Sequence, residues 1–233
     1  MIIRAGTSGY SYKEWKGTFY PEDLPASGML AYYAKHFSTV EINNTFYRMP
    51  AAKMLLGWAE QVPDEFAFVL KAPRRITHDK RLKDVDEDMA YLMKAMAALG
   101  KKRGPVLFQL PPFFRKDIAC LRGFLSLLSR DCPAAMEFRH QSWFDDEVFA
   151  VLREHNAALC LADADNELEI PFVSTAAWGY LRLRRPEYSD ADLGEWAKRV
   201  TSQPWKDAFV FFKHEDAGKG PEFATRFLGL VGK

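Results

Sequence analysis

The chain has few cysteines and no long apolar segment. Its three cysteines, Cys120, Cys132 and Cys160, are widely spaced and form no CxxC pair, which argues against zinc or redox chemistry and predicts reduced, mostly buried thiols. No apolar run is long enough to span a bilayer, and Gly6 and Gly9 interrupt the N-terminal segment before it could act as a signal sequence. We therefore expect a cytoplasmic protein that does not enter a membrane.

The chain also lacks a strong net charge. Its 32 basic and 31 acidic residues leave a formal charge of +1, so no global field draws the whole protein to DNA or to a membrane. Any preference for anions must be local. The length of 233 residues fits a single domain over residues 1–233, within the size range of an α/β barrel.

Eight short segments rich in β-branched and aromatic residues alternate with segments of helical periodicity. The predicted strands are residues 2–7, 39–42, 66–70, 105–110, 134–138, 157–162, 178–183 and 208–212. Among the helix ends, Asp84 with Glu87 resembles a capping box, Asp145 and Ser189 precede two later helices, and Pro221 can open the last one. Residues 167–175 are too few for a full helix.

A βα order repeated eight times predicts parallel strands, and eight strands close a (β/α)₈ barrel. The fold class predicted is therefore α/β, a TIM-type barrel with a reduced or missing helix between the sixth and seventh strands. An open doubly wound sheet is the alternative, but no GxGxxG turn follows the first strand.

Strand parity predicts which polar side chains point into this barrel, because side chains alternate between the two faces of a strand. Most of them fall near the C-terminal ends of their strands, where barrel enzymes hold their chemistry. Basic groups outnumber acidic ones, and the loop within residues 71–83 adds more. The inward set is Arg4, Gly6, Ser8, Glu41, Asn43, Lys71, Gln109, Glu137, Arg139, Asp163, Tyr180, Arg182, Arg184 and Lys213.

The first functional hypothesis is an enzyme, a hydrolase or lyase, that acts on a small anionic substrate bearing a phosphate or carboxylate. The candidate catalytic acids and bases are Glu137, Asp163 and Glu41. The candidate substrate-binding residues are Ser8, Asn43, Tyr47, Lys71, His78, Gln109, Arg139, His140, Trp143, Arg182, Arg184 and Lys213. The same Arg and Glu residues could instead form structural ion pairs inside the barrel.

Other interpretations stay open. His78, His140 and His214 could join the carboxylates in a divalent metal site, but no HxH or HExxH spacing supports one, so no cofactor is predicted. Lys71 and Lys213 end strands, as Schiff-base lysines do in some barrels, although a salt bridge is the favoured role.

The second functional hypothesis is a non-catalytic module that binds nucleic acid through the basic loop and an aromatic rim. The rim would comprise Tyr10, Trp15, Phe19, Tyr20, Phe46, Tyr47 and Trp143.

Four motifs resemble the YecE-like family, catalogued as domain of unknown function 72. They read GTSGYSYKEWKGTFYPEDLP from residue 6, TVEINNTFYRMP from residue 39, FQLPP from residue 108 and MEFRHQSW from residue 136. The resemblance covers essentially the whole chain and implies a TIM-type barrel but no settled activity. The chain departs from the commonest family pattern at Arg184–Arg185 and at residues 213–216, so family roles for those two loops do not transfer here.

Overall fold

The computed structural model describes residues 1–129, 132–164, 168–214 and 218–232. Eight strands form one parallel sheet in the order β1-β8-β7-β6-β5-β4-β3-β2. The sheet therefore winds round until its first and second strands meet, and the predicted TIM-type barrel is confirmed. The strands are β1 (Ile2–Thr7), β2 (Thr39–Ile42), β3 (Ala67–Lys71), β4 (Arg103–Gln109), β5 (Ala134–Glu137), β6 (Ala158–Asp163), β7 (Trp178–Leu183) and β8 (Asp207–Phe212).

Helices cover the outside of the barrel. They are α1 (Met29–Tyr33), α2 (Ala52–Ala59), α3 (Asp86–Met96), α4 (Ile118–Ser126), α5 (Asp146–Glu154), α6 (Asp190–Thr201) and α7 (Lys219–Leu230). Short 3₁₀ turns occur at Lys13–Trp15, Ala26–Gly28, Asn44–Phe46, Ala97–Lys102 and Gln141–Trp143, with a π turn at Arg75–Asp79. Residues 168–177, which precede β7, contain no helix, in line with the reduced or missing helix predicted there.

Two predicted helix starts are confirmed by side-chain caps. Asp145 accepts hydrogen bonds from the backbone N–H groups of Glu147 and Val148 at 3.0 and 3.3 Å. Ser189 and Asp192 form a reciprocal capping box at the start of α6. The capping box predicted at Asp84 is wrong, because α3 begins at Asp86 and Asp84 adopts a left-handed backbone conformation with φ of 52°.

The alternation along each strand separates two apolar cores. Outward side chains pack against the helices in the larger core, whereas inward side chains fill the barrel in a second, separate cluster. The inner cluster consists of Val69, Leu107, Ala135, Ala158, Cys160, Trp178, Tyr180, Phe209 and Phe211. This apolar plug fills the middle of the barrel, so the polar residues beyond it occupy the C-terminal mouth.

The barrel closes where β1 meets β2, and a tyrosine hydroxyl takes part in that closure. Ser8 and Glu41 form an isolated parallel bridge. Below it, the Tyr33 hydroxyl accepts from the Thr7 backbone N–H at 2.8 Å and donates to the Thr39 carbonyl at 3.0 Å. Tyr33 is fully buried, so its hydroxyl joins two backbone groups that would otherwise lack partners at this seam.

In the described residues, no helix has the length and apolar content needed to cross a membrane. The longest helices, α6 and α7, have 12 residues each.

Replacing Tyr33 with phenylalanine should destabilise the protein by about 1–3 kcal/mol, because the Thr7 N–H and the Thr39 carbonyl would lose their buried partner. The free energy of unfolding in urea measures this loss. Tyr32→Phe is the matched control, since Tyr32 is half-buried and packs through ring contacts with Phe19 and His36. Equal stabilities of the two variants would contradict a sealing role for the Tyr33 hydroxyl.

Candidate functional site

A buried ion bridge lies at the centre of the mouth. Arg182 ends the inward row of β7 and donates to Glu137 Oε2 at 2.7 Å and to Glu41 Oε1 at 2.8 Å. The three side chains are 2%, 1% and 0% exposed respectively. One guanidinium therefore joins carboxylates from β2 and β5 across the barrel, in the geometry that makes Arg suited to buried carboxylates.

Glu41 is saturated with donors. Besides Arg182, it accepts from the Ser8 hydroxyl at 2.7 Å, the Tyr180 hydroxyl at 2.6 Å and the Asn43 amide at 3.1 Å. Burial alone would raise the pKa of Glu41, but the charge of Arg182 and these hydrogen bonds outweigh it and hold the pKa below its usual value. Glu41 is consequently ionised, and both of its carboxylate oxygens already accept hydrogen bonds.

Glu137 is surrounded by cations. Arg139 donates to its Oε1 at 3.2 Å, and the Arg184 guanidinium lies 3.4 Å from the same oxygen. Burial opposes ionisation here too, yet Arg182, Arg184 and Arg139 lower the pKa of Glu137, with a further contribution from Gln109. Because both carboxylates are ionised, neither can serve as a general acid near neutral pH.

Lys71 stands apart from the bridge. It ends β3, is half-buried, and has its Nζ 4.1 Å from the centroid of the Phe46 ring. Burial lowers its pKa, and the positive charges of Arg182 and Arg139 lower it further, against the opposing pull of Glu137 and Glu41, to about 8. Lys71 is thus a group of the mouth that changes charge close to neutral pH.

The mouth carries more positive than negative charge. The two carboxylates, Glu41 and Glu137, face four cationic groups at Arg182, Arg184, Arg139 and Lys71. Asn43 Oδ1 and Arg184 Nε are buried and have no hydrogen-bond partner among the residues described. An excess of two positive charges and an unused guanidinium N–H favour an anionic ligand, which would relieve both.

A cavity of roughly 380 Å³ opens beside this cluster. Arg139, Arg184 and Glu137 form its charged side, and the other lining residues are Pro112, Phe138, Ala162, Leu168 and Ile170. The segment that replaces a helix after β6 supplies Leu168 and Ile170. The cavity therefore has one wall that carries two guanidinium groups and another wall that is apolar.

A larger cavity, roughly 580 Å³, lies at the opposite end of the barrel beneath Trp178 and Phe209. Its rim includes Arg4, which is already paired with Asp207 at 2.9 Å. We place the candidate site at the C-terminal mouth because the buried, ionised groups and the groups without partners converge there.

The comparisons with known proteins agree with the sequence motifs. The family model described as "Protein of unknown function DUF72" matches residues 4–233. The chain belongs to the DUF72 family. Its relatives include the UPF0759 protein YunF of Bacillus subtilis, with 25% identity over 99% of this chain and 95% of YunF. YecE of Escherichia coli K12 is 34% identical over 48% of this chain and 42% of its own length.

Solved DUF72 structures share the whole fold. A family member from Thermotoga maritima superposes with a TM-score of 0.87 at 28% identity, covering 100% of both chains. One from Enterococcus faecalis gives a TM-score of 0.85 at 20% identity, over 100% of this chain and 96% of the other. The barrel is accordingly a feature of the DUF72 fold.

The DUF72 barrel brings together most of the residues that strand parity selected. Ser8, Glu41, Asn43, Glu137, Arg139, Arg182 and Arg184 are joined by the contacts above, with Lys71 and Gln109 beside them. Their functional roles stay predictions. Tyr180 was placed on the inner face by parity but not among the site residues, although it donates to Glu41.

Asp163 does not join this cluster, and its predicted inward direction is wrong. Its carboxylate accepts from Arg185, Tyr188 and Trp196 at 2.9, 3.0 and 3.1 Å, on the outer side of β6 toward α6. On β6 the inward residues are the even-numbered ones, including Cys160. The odd-numbered residues Leu159, Leu161 and Asp163 therefore face outward.

Several other residues that were predicted to bind substrate either make contacts that stabilise the fold or lie at the edge of the mouth. Trp143 is buried, stacks on Phe138 with centroids 4.7 Å apart, and donates to the Phe114 carbonyl at 2.7 Å. His140 caps the 3₁₀ turn that contains Trp143. Tyr47 is 79% exposed. Lys213 is also exposed, so Tyr47 and Lys213 lie on the rim of the mouth.

His78 borders the mouth from the π turn. Its Nδ1 lies 2.9 Å from the Thr77 hydroxyl, and its ring packs edge-on against Phe46. Burial, Lys71 and Arg139 lower the pKa of His78, which favours the neutral imidazole. The described residues contain no group of three or more His, Cys, Asp or Glu side chains placed to hold a metal ion.

The basic loop is largely neutralised by acidic residues. Arg74 pairs with Asp79 at 3.0 Å, and Lys83 pairs with Asp117 at 3.1 Å. Arg75 and Lys80 both contact Asp88, at 2.7 and 2.8 Å. The loop therefore presents much less free positive charge than its sequence indicates.

Replacing Arg182 with methionine should lower the free energy of unfolding by about 3–5 kcal/mol, because Glu41 and Glu137 would be left as uncompensated buried charges. Arg122→Met is the control, since Arg122 pairs with Glu154 at a half-exposed position and should lose under about 1 kcal/mol. Urea denaturation of both variants measures the difference. A loss at Arg182 no larger than that at Arg122 would refute the central role of the bridge.

The lowered pKa values of Glu41 and Glu137 also predict how stability changes with pH. In the unfolded chain a glutamate titrates near about 4.3, so the stabilisation is fully present above about pH 5. It is lost as pH falls from there toward the lower folded pKa values. Unfolding free energies measured across this acid range should fall less steeply for Glu137→Gln than for the parent. Parallel pH profiles would argue against the assignment.

Proposed function

We propose that this DUF72 protein is an enzyme that binds a small anionic substrate at the C-terminal mouth of its barrel. The observation that carries the proposal is the excess of two positive charges around two buried, already paired carboxylates. A phosphate or carboxylate group of the substrate would complete this charge balance.

Arg139 and Arg184 are the groups best placed to hold that anion. Both line the cavity beside Glu137, with side chains 34% and 16% exposed, so a ligand can reach them. Arg182 is unsuited to the role predicted for it, because it is 2% exposed and both of its terminal nitrogens are taken by the carboxylates. Its role in the proposal is to position Glu41 and Glu137.

The proton-transfer group is Lys71 and not a carboxylate. A general acid or base works best when its pKa lies close to the working pH, and the pKa of Lys71 is lowered to about 8. Glu137 and Glu41 hold their charge over the whole neutral range, so they contribute a fixed field. Asn43, with its unpaired Oδ1, would orient the substrate.

The nucleic-acid alternative has less support, because the charges of the basic loop are paired with Asp79, Asp88 and Asp117. A gel-shift titration that gave strong, salt-dependent binding of single-stranded nucleic acid would favour it over the enzyme.

Calorimetric titration with inorganic phosphate and with small carboxylates tests the anion site. Arg139→Gln and Arg184→Gln should each weaken binding about tenfold or more, since a hydrogen bond to a charged group contributes roughly 1.5–3 kcal/mol. Arg122→Gln, on the outer surface, should bind as the parent does. The site is refuted if the parent shows no saturable binding, or if all three variants bind equally.

The enzymatic part of the proposal has a separate test. Purified protein should turn over at least one compound in a panel of phosphoesters, sugar phosphates and sugar acids, and Lys71→Met should abolish that turnover. A protein that binds anions but turns over nothing in the panel would be a binding module.

A further inference from the structure

The cavity beside Glu137 is lined by side chains of two opposite kinds. Arg139 and Arg184 supply positive charge, and the remaining lining side chains, apart from Glu137, are apolar. Its volume of roughly 380 Å³ lies near the lower end of the range typical of small-molecule pockets, about 300–1,000 Å³. The cavity therefore suits a compact ligand that is charged at one end and apolar at the other.

The guanidinium groups of the charged wall are not saturated by Glu137. Arg139 donates to Glu137 Oε1 through Nε at 3.2 Å, which is the one side-chain hydrogen bond that it makes to a described residue. Arg184 lies 3.4 Å from the same oxygen, and its Nε is buried without a hydrogen-bond partner in the described part of the chain. Because a guanidinium has several N–H donors, both arginines keep donors for the oxygens of a ligand.

The apolar wall is formed in part by the segment that takes the place of a helix after β6. Leu168 and Ile170 are half-buried in that segment, and Glu169 between them is exposed. The alternation directs the two apolar side chains to one side of the chain and the carboxylate to solvent. Ile170 also packs against the outer core, and Phe138 stacks on Trp143. The apolar wall is therefore held in place by contacts with the rest of the fold.

A ligand held by the two arginines places its other atoms against this apolar wall. A hydroxyl or a second anionic group there would lose water without gaining a side-chain partner, since Pro112, Ala162 and the other apolar lining residues offer none. A hydrocarbon group would instead be stabilised by leaving water. The cavity thus favours an anion with an attached hydrocarbon group over a polyhydroxylated one.

We propose that Leu168 and Ile170 form a specificity subsite for an apolar group attached to the anionic group of the substrate. The inference rests on the proposed anion site, because Arg139 and Arg184 would hold the anionic group. The substrate class is an amphiphilic anion, a carboxylic acid or phosphoester that carries a hydrocarbon group of a few carbon atoms.

Two chain-length series test the subsite on the unmodified protein. Calorimetric titration with acetate, propionate, butyrate and pentanoate should show affinity rising about twofold or more for each methylene group, and about fourfold where that group is fully buried. Alkyl phosphates from methyl to butyl phosphate should show the same trend. An increase below twofold per methylene in both series would overturn the subsite.

A matched pair of ligands tests the apolar character of the wall. 4-Hydroxybutanoate ends in a hydroxyl where pentanoate ends in a methyl group, so it should bind at least threefold more weakly to the parent. Equal affinities of the two acids would also overturn the subsite.

Competition and substitution test where the hydrocarbon group binds. Inorganic phosphate should displace pentanoate from the parent, because both anionic groups would occupy the same two arginines. Leu168→Ser should reduce the gain per methylene to below about twofold, and Leu127→Ser, at an exposed position after α4, is the matched control that should keep the gain of the parent. Pentanoate binding that phosphate does not displace, or an unchanged gain in Leu168→Ser, would place the hydrocarbon group elsewhere and overturn the subsite.

The same experiments separate this inference from the proposed anion site. If phosphate binding depends on Arg139 and Arg184 but affinity is indifferent to chain length, the subsite is wrong and the anion site stands. If phosphate, the alkyl phosphates and the carboxylates all fail to bind, both proposals are wrong.

Discussion

The salt bridge from Arg182 to Glu41 and Glu137 is the interaction on which the mouth of this barrel depends. It joins β2, β5 and β7, three strands that are not neighbours in the sheet, through a single side chain. Removing three charges from water is expensive, and the cost is recovered only through short, well-directed contacts and additional donors. Ser8 and Tyr180 provide such donors to Glu41, so the arrangement is fixed by hydrogen bonds as well as by charge.

This bridge separates the polar groups of the mouth into two kinds. The carboxylates are bound to Arg182 and keep their charge over the neutral pH range, which gives them a constant electrostatic effect. Arg139, Arg184 and Lys71 remain partly accessible and less fully compensated. The cations that would attract an anion in the proposed function also disfavour protonation of Lys71, because like charges repel.

Much of this arrangement could be predicted from the sequence, because alternation along a strand is a local property. Eight apolar segments gave the barrel, and parity placed Glu137, Arg139 and Arg182 on one inner surface. What parity could not provide was the pairing across the barrel, since partners such as Glu41 and Arg182 are 141 positions apart in the sequence. The free positive charge of the basic loop was overestimated for the same reason, because Asp117, which pairs with Lys83, belongs to a distant segment. Asp163 was misplaced because the odd-numbered face of β6 was taken as the inner one. Leu168 and Ile170 were missed because an irregular segment has no periodicity to follow.

The seam between β1 and β2 has a consequence for how the barrel moves. Elsewhere in the described sheet, neighbouring strands share two or more residue pairs, whereas here a single bridge and the Tyr33 hydroxyl connect them. The bridge is between Ser8 and Glu41, so the seam ends at the carboxylate that anchors the ion cluster. Any widening of the barrel at this seam would draw a donor away from Glu41 and loosen its hold on Arg182. The seam between β1 and β2 is thus mechanically coupled to the ion cluster in the mouth.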